Sequence, residues 1–215
     1  MELFNETAAA ERVRRRIEHL GKGEVLKAFV QSEIRALSLL PERVDDKRII
    51  AAARAIVRAR TVFLFGTGHA ETLARLLEIR LARGGYDAAV LAADAREAAA
   101  VLQRARRGDA FILFAFYSIP SRVQHILACA REIQATTIII TDIVNPVQWP
   151  RADVILAATR GETGEARSLV VPMTICNTII LQVSRLDRGR MIRNLENLEE
   201  MRAKLEREIQ DPPAK

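Results

Sequence analysis

The chain has 215 residues, 49% of them hydrophobic, which fits one domain with an appendage better than two full domains and supplies a sizeable core. A formal net charge of +6 suits anionic partners such as nucleic acid or phosphorylated metabolites, although 28% charged residues of both signs mostly describe a solvated surface. No disulfide framework, metal-ligand spacing or secretory leader is visible: Cys129 and Cys176 read as buried thiols of a reducing compartment, His19, His69 and His125 are scattered, and MELFNETAAAERVRRR lacks an apolar core.

The first residues read as helices. Val13, Ile17 and Leu20 recur at helical spacing before Gly21-Lys22-Gly23, and Arg12, Arg14, Arg15 and Arg16 form a solvent-facing run rather than a DNA contact. A second helix runs from about Glu24 to Leu40, with Leu26, Phe29, Val30, Ile34 and Leu37 on one side, and Pro41 ends it. Asp45 or Asp46 caps a third, carrying Ile49, Ile50, Ala53, Ile56 and Val57.

From Thr61 the texture changes. TVFLFG is a continuous apolar run, as expected of a strand buried on both faces. A helix over 70–83 follows, then a strand near 88–92, a helix over 95–106, the strand AFILFAF from Ala110, a helix over 122–133, the strand TTIIITD and a fifth strand in DVILAAT. Strands alternating with helices of this length predict parallel pairing through crossovers. The segment 142–152, with Asn145-Pro146 and Trp149-Pro150, is too short for a crossover helix and reads as an ordered loop. The helix 168–186 is apolar almost all round, hence expected to be buried against the sheet or a partner subunit. Its stretch Leu169–Val183 is too short for a membrane span and holds Pro172, Asn177 and Gln182. Leu195, Leu198, Met201, Leu205 and Ile209 stripe the last helix, which Asp211-Pro212-Pro213 ends.

In such sheets ligands bind beyond the carboxyl ends of the strands, at a topological switch point. Two segments qualify. Gly66-Thr67-Gly68-His69-Ala70 lets backbone approach a ligand and opens a helix whose first amides attract an anion. Tyr117-Ser118-Ile119-Pro120-Ser121-Arg122 offers hydroxyls, a second helix start and a cation. Asp94 lies where a dinucleotide site would place its acid, but Glu71 stands in place of the third glycine and would repel a pyrophosphate, which speaks against a nicotinamide enzyme.

The two loops and their flanks resemble the sugar isomerase (SIS) domain, and within it the effector domain of RpiR/MurR-type transcriptional regulators, over roughly Val25 to Leu205. ARTVFLFGTGHA matches a helix end, a strand and G-x-G-x-S. GDAFILFAFYSIPS matches "GD", a strand and S-x-S-G-x-T. ITDIVNPVQWPRADVIL and SLVVPMTICNTIIL are similar to the family's later stretches. The chain departs at Ala70, which replaces the first loop's serine, and at Phe116 and Ile119, which replace the first serine and the glycine of the second; Ser118 is kept and Ser121 stands for the threonine.

The resemblance implies a doubly wound, flavodoxin-like α/β fold with five parallel strands in the order 2-1-3-4-5. N-terminal helices and a linker would occupy 1–44, and the SIS domain with its C-terminal helix 45–211. It implies a small anionic sugar derivative, a phosphosugar in most of the family, held by Gly66, Thr67, Gly68, His69, Ser118, Ser121, Arg122 and Glu165, with no catalytic residue, metal or cofactor. The expected role is the sensor of a cytoplasmic regulator, a homodimer or tetramer without membrane contact. It would reach DNA only through a helix-turn-helix domain for which residues 1–60 leave no room. The rivals are a small aldose–ketose isomerase, using His69, Glu71 and Glu165 with Glu162 equally available, and an SIS fold that serves only to dimerise.

Overall fold

A computed structural model of the protein describes residues 14, 25–144, 151–160 and 167–210. The helix expected around Val13–Leu20, apart from Arg14, and the segments 145–150 and 161–166 lie outside the described residues. Helix α1 spans Val25–Ser38, a short α2 Leu40–Arg43 and α3 Asp46–Arg58. Pro41 sits at the start of α2, where its missing N–H is not needed, so it opens a helix rather than only closing the one before. The Asp45 side chain caps α3 by accepting from the Arg48 N–H at 2.8 Å.

Strand β1 (Val62–Phe65) leads into α4 (His69–Arg83), β2 (Ala88–Val90) into α5 (Ala95–Leu102), and β3 (Ala110–Ala115) into α6 (Ser121–Glu132). After β4 (Thr136–Thr141) and β5 (Val154–Ala157) come α7 (Val170–Leu186) and α8 (Arg188–Gln210). The five strands pair in the order β2-β1-β3-β4-β5, every neighbour parallel, as the sequence led us to expect. Helix α5 stops at Leu102, four residues before the expected end; Arg104 and Ala105 donate to carbonyls three residues back, a tighter turn.

The pleat divides the core in two. Val62, Leu64, Ile112, Phe114, Ile138, Ile140 and Leu156 point to the face covered by α3, α4 and α7. Phe63, Phe65, Phe111, Leu113 and Ile139 point to the other, against Val123, Ile126 and Leu127 of α6. Both faces are dry, which is why the strands read as unbroken apolar runs. Phe63 and Phe111 stack with ring centroids 5.1 Å apart.

Aspartates pin the amino-terminal edge of the sheet. Asp109 accepts from the Thr61 N–H, the Arg106 N–H and the Arg60 guanidinium. Asp87 accepts from the Thr61 hydroxyl at 2.7 Å, and Asp153 from the Thr137 N–H and hydroxyl at 2.7 and 2.8 Å. Apart from the local Arg106 bond, these tie the start of one strand to that of a neighbour and satisfy its polar groups there.

The long α8 is anchored at its first turns. Tyr86 donates its hydroxyl to Asp187 at 2.9 Å, and Arg190 donates to the Gly85 carbonyl at 3.1 and 2.6 Å while lying over the Tyr86 ring. Gly84 permits this approach, since a Cβ there would come within 2.5 Å of the Met191 sulfur.

Candidate functional site at the sheet's switch point

Order 2-1-3-4-5 makes β1 and β3 neighbours whose chains continue to opposite sides of the sheet. Their carboxyl ends open the crevice where ligands of open α/β sheets bind. The structure brings both expected loops to this edge, 66–69 after β1 and 116–120 after β3, from strands in one ladder.

The first loop is built around its glycines. A Cβ on Gly66 would meet the Ala70 carbonyl oxygen at 2.7 Å, so only glycine lets the chain turn this tightly into α4. Gly68 has φ +57° and ψ −130°, a conformation reserved for glycine, and acts as the N-cap residue of α4 without a side-chain cap. Thr67, Gly68 and His69 are exposed. Glu71, one of the candidate acids, turns along its own helix to Arg75 at 3.8 Å.

The second loop carries strain. Tyr117 has φ +68°, unusual for a residue with a Cβ, and its N–H donates to Asp142 Oδ1 at 2.7 Å. Helix α6 begins after Pro120, again without a side-chain cap and with no acid in its first turn. Ser118 and Ser121 are exposed at this turn. Arg122 bends away from β1, donating through Nη1 to the Ala93 carbonyl beyond β2. With Ser121, His125 and Cys129 it lines a groove of about 380 Å³ between α5 and α6.

One part of the site was not foreseen. The Asp142 carboxylate, at the end of β4, gathers three partners: the Tyr117 N–H on Oδ1, and on Oδ2 both Arg160, through Nε at 3.0 and Nη2 at 2.9 Å, and Arg167, through Nη1 at 3.4 Å. The Asp142 and Arg160 side chains are only 3% and 2% exposed, whereas Arg167 is 38% exposed. Arg160 lies 4.3 Å from the Phe116 ring centroid and 4.7 Å from that of Tyr117, and Arg167 lies 4.6 Å from the Tyr117 ring. Phe116, which replaces a serine of the resembling family, is thus the floor of a cation–aromatic stack. The only sequence trace of this cluster is the aromatic pair Phe116-Tyr117 where a polar loop is expected, because its charged members are separated by up to 25 positions.

Glu165, its rival Glu162 and Trp149 lie outside the described residues. Cys176 is buried in α7, and burial pushes its thiol up to about 12, so it stays protonated and inert. Cys129 corrects the expectation of two buried thiols: it is exposed, because it faces the α5–α6 groove rather than the sheet. Among the described residues no three His, Cys, Asp or Glu side chains are grouped to hold a metal, and no helix is long and apolar enough to cross a membrane. Chemically, the crevice presents two helix starts and a partly exposed guanidinium, a setting for an anion.

The sequence matches no protein-family model and no curated protein sequence. The structure resembles solved ones. The sugar isomerase domain of the RpiR transcription factor from Sphaerobacter thermophilus is 23% identical, with 82% of this chain and 99% of that one covered and a TM-score of 0.74. The NanR protein of Vibrio vulnificus, solved in complex with ManNAc-6P, is 20% identical, with 86% and 70% covered and a TM-score of 0.72. Phosphoheptose isomerase from Neisseria gonorrhoeae is 15% identical, with 74% and 97% covered and a TM-score of 0.60. At these identities the likeness establishes the fold, and the fold is that of the SIS domain.

Proposed function

We propose that this protein is the sensor domain of an RpiR/MurR-type transcriptional regulator of the cytoplasm, binding an anionic sugar derivative, foremost a sugar phosphate, at the β1/β3 switch point. The observation that carries this reading is the pair of helix starts, α4 and α6, which flank one crevice and both lack a side-chain cap. The positive ends of their helix dipoles favour negative charge. The NanR structure, solved with a sugar phosphate, and the higher TM-scores of the two regulators than of the isomerase support it.

In this reading the anion sits over the amides near Gly68 and those at the start of α6, with the hydroxyls of Ser118 and Ser121 beside it; Arg122, bonded to the Ala93 carbonyl and lining the α5–α6 groove, is not among its contacts. The exposed His69 is available to the sugar. Ligand binding favours one arrangement of a homo-oligomer over another and so repositions DNA-binding heads carried outside this chain. No step of proton transfer is required.

Titration calorimetry with glucose 6-phosphate tests the reading. Replacing both hydroxyls, Ser118→Ala with Ser121→Ala, is expected to cost about 1–3 kcal/mol of binding, since hydrogen bonds to a charged acceptor are the stronger class. Ala70→Ser, which restores the family's hydroxyl, is expected to bind at least as tightly. Unchanged binding by the double variant contradicts the site. Slow isomerisation of the bound sugar that is lost in His69→Ala establishes the enzyme instead.

A further inference from the structure

We infer that Arg167 is the side chain that takes the ligand's anionic group, held ready for it by Asp142 and Arg160; this deepens the site reading proposed above and rests on it. The first ground is charge. Two guanidinium groups share one carboxylate, so among the described residues the cluster carries one positive charge in excess. Arg160 and Asp142 are almost fully buried, and a surplus cation beside a buried pair is costly unless an anion or water reaches it. Only Arg167 is open to either.

The second ground is the division of hydrogen bonds. Arg160 gives its Nε and Nη2 to Asp142, at 3.0 and 2.9 Å, and its side chain is buried. Arg167 reaches the same oxygen through Nη1 alone, at 3.4 Å. Its Nε and Nη2 make no hydrogen bond among the described residues, which leaves the planar fork that matches a phosphate or carboxylate in two-point fashion.

The third ground is place. Arg167 lies over the ring of Tyr117, the residue before Ser118, so its fork belongs to the same loop as the proposed hydroxyl contacts. Phe116 has displaced a hydroxyl from this loop, and its ring supports the guanidinium of Arg160, which in turn shares Asp142 with Arg167. The chemistry recognised is a sugar bearing a phosphate or a carboxylate.

Calorimetry of the full chain with four probes separates the possibilities: glucose 6-phosphate, glucuronate, inorganic phosphate and glucose. Wild type is expected to bind the anionic probes at least about tenfold more tightly than glucose, and the ratio of the two sugar acids identifies the preferred anion. Arg167→Gln is expected to weaken the anionic probes by about tenfold to a hundredfold, and Arg167→Lys by less, since lysine keeps the charge and loses the fork. Circular dichroism shows that each variant is folded, as expected for a side chain that is not part of the core. If Arg167→Gln binds the anions as wild type does while the Ser118→Ala, Ser121→Ala variant is weakened, Arg167 is not the anion ligand and the site reading stands. If wild type binds no anionic probe better than glucose, both fall.

Discussion

Asp109 has no access to water, its side chain being 0% exposed, yet it accepts two backbone N–H groups and the fork of the half-exposed Arg60. Removing it strands the buried amide of Thr61 and frees the part-buried one of Arg106; the Arg60 guanidinium can return to solvent and adds little. Asp109→Ala is expected to lower unfolding free energy in urea by about 2–4 kcal/mol and to leave ligand affinity unaltered, because the residue lies at the edge opposite the crevice. A loss below about 0.5 kcal/mol, the range of an ordinary surface change, contradicts this account of the edge. The Gly-Asp pair was visible in the sequence, but its work was not, since the partner Thr61 lies 48 positions upstream. The same limit hid the Asp142 cluster. By contrast, Gly66 and Gly68 were legible, because a tight strand-to-helix turn restricts the chain locally and leaves its mark in adjacent residues.

The elements were legible where one physical cause acted alone. Strands buried on both faces read as apolar runs, and helix starts carried Asp45 and Asp94, whose side chains do cap α3 and α5. Helix α7, expected to be buried against the sheet or a partner subunit, meets the sheet with one face. Within one chain Val171, Ile175, Cys176, Ile179 and Val183 form the buried stripe, and Leu181 is 72% exposed. Helix α8 adds Ile192, Leu195, Leu198, Met201 and Leu205, all exposed at helical spacing, and α1 adds Leu26, Val30 and Ile34. Such a run of apolar surface on three helices fits contact between copies of the chain. Sedimentation at micromolar concentration is expected to show a dimer or tetramer, and Leu198→Lys with Met201→Lys to weaken it by at least about tenfold, since two charges then enter an apolar contact. A monomeric wild type contradicts this use of the helices.

Across the whole molecule, the two edges of the sheet divide the labour. The amino-terminal edge is stapled by Asp87, Asp109 and Asp153, each satisfied by a neighbouring strand. The carboxyl edge keeps two helix starts without side-chain caps, a strained Tyr117 and a guanidinium only loosely engaged. Carboxylates join neighbouring strands at one edge, and the loosely engaged guanidinium of Arg167 lies at the other. Parallel order and the location of the crevice were legible because alternating strands and helices leave few topologies. The charge balance of the crevice was not, because it is assembled from three loops far apart in the chain. On the function proposed above, this carboxyl edge holds the anionic group of a sugar derivative. A crystal structure with glucose 6-phosphate tests it most directly. The phosphate is expected at the ends of β1 and β3, between the turn at Gly68 and the start of α6 and within reach of Arg167. A phosphate bound elsewhere, such as in the α5–α6 groove beside His125 and Cys129, contradicts it.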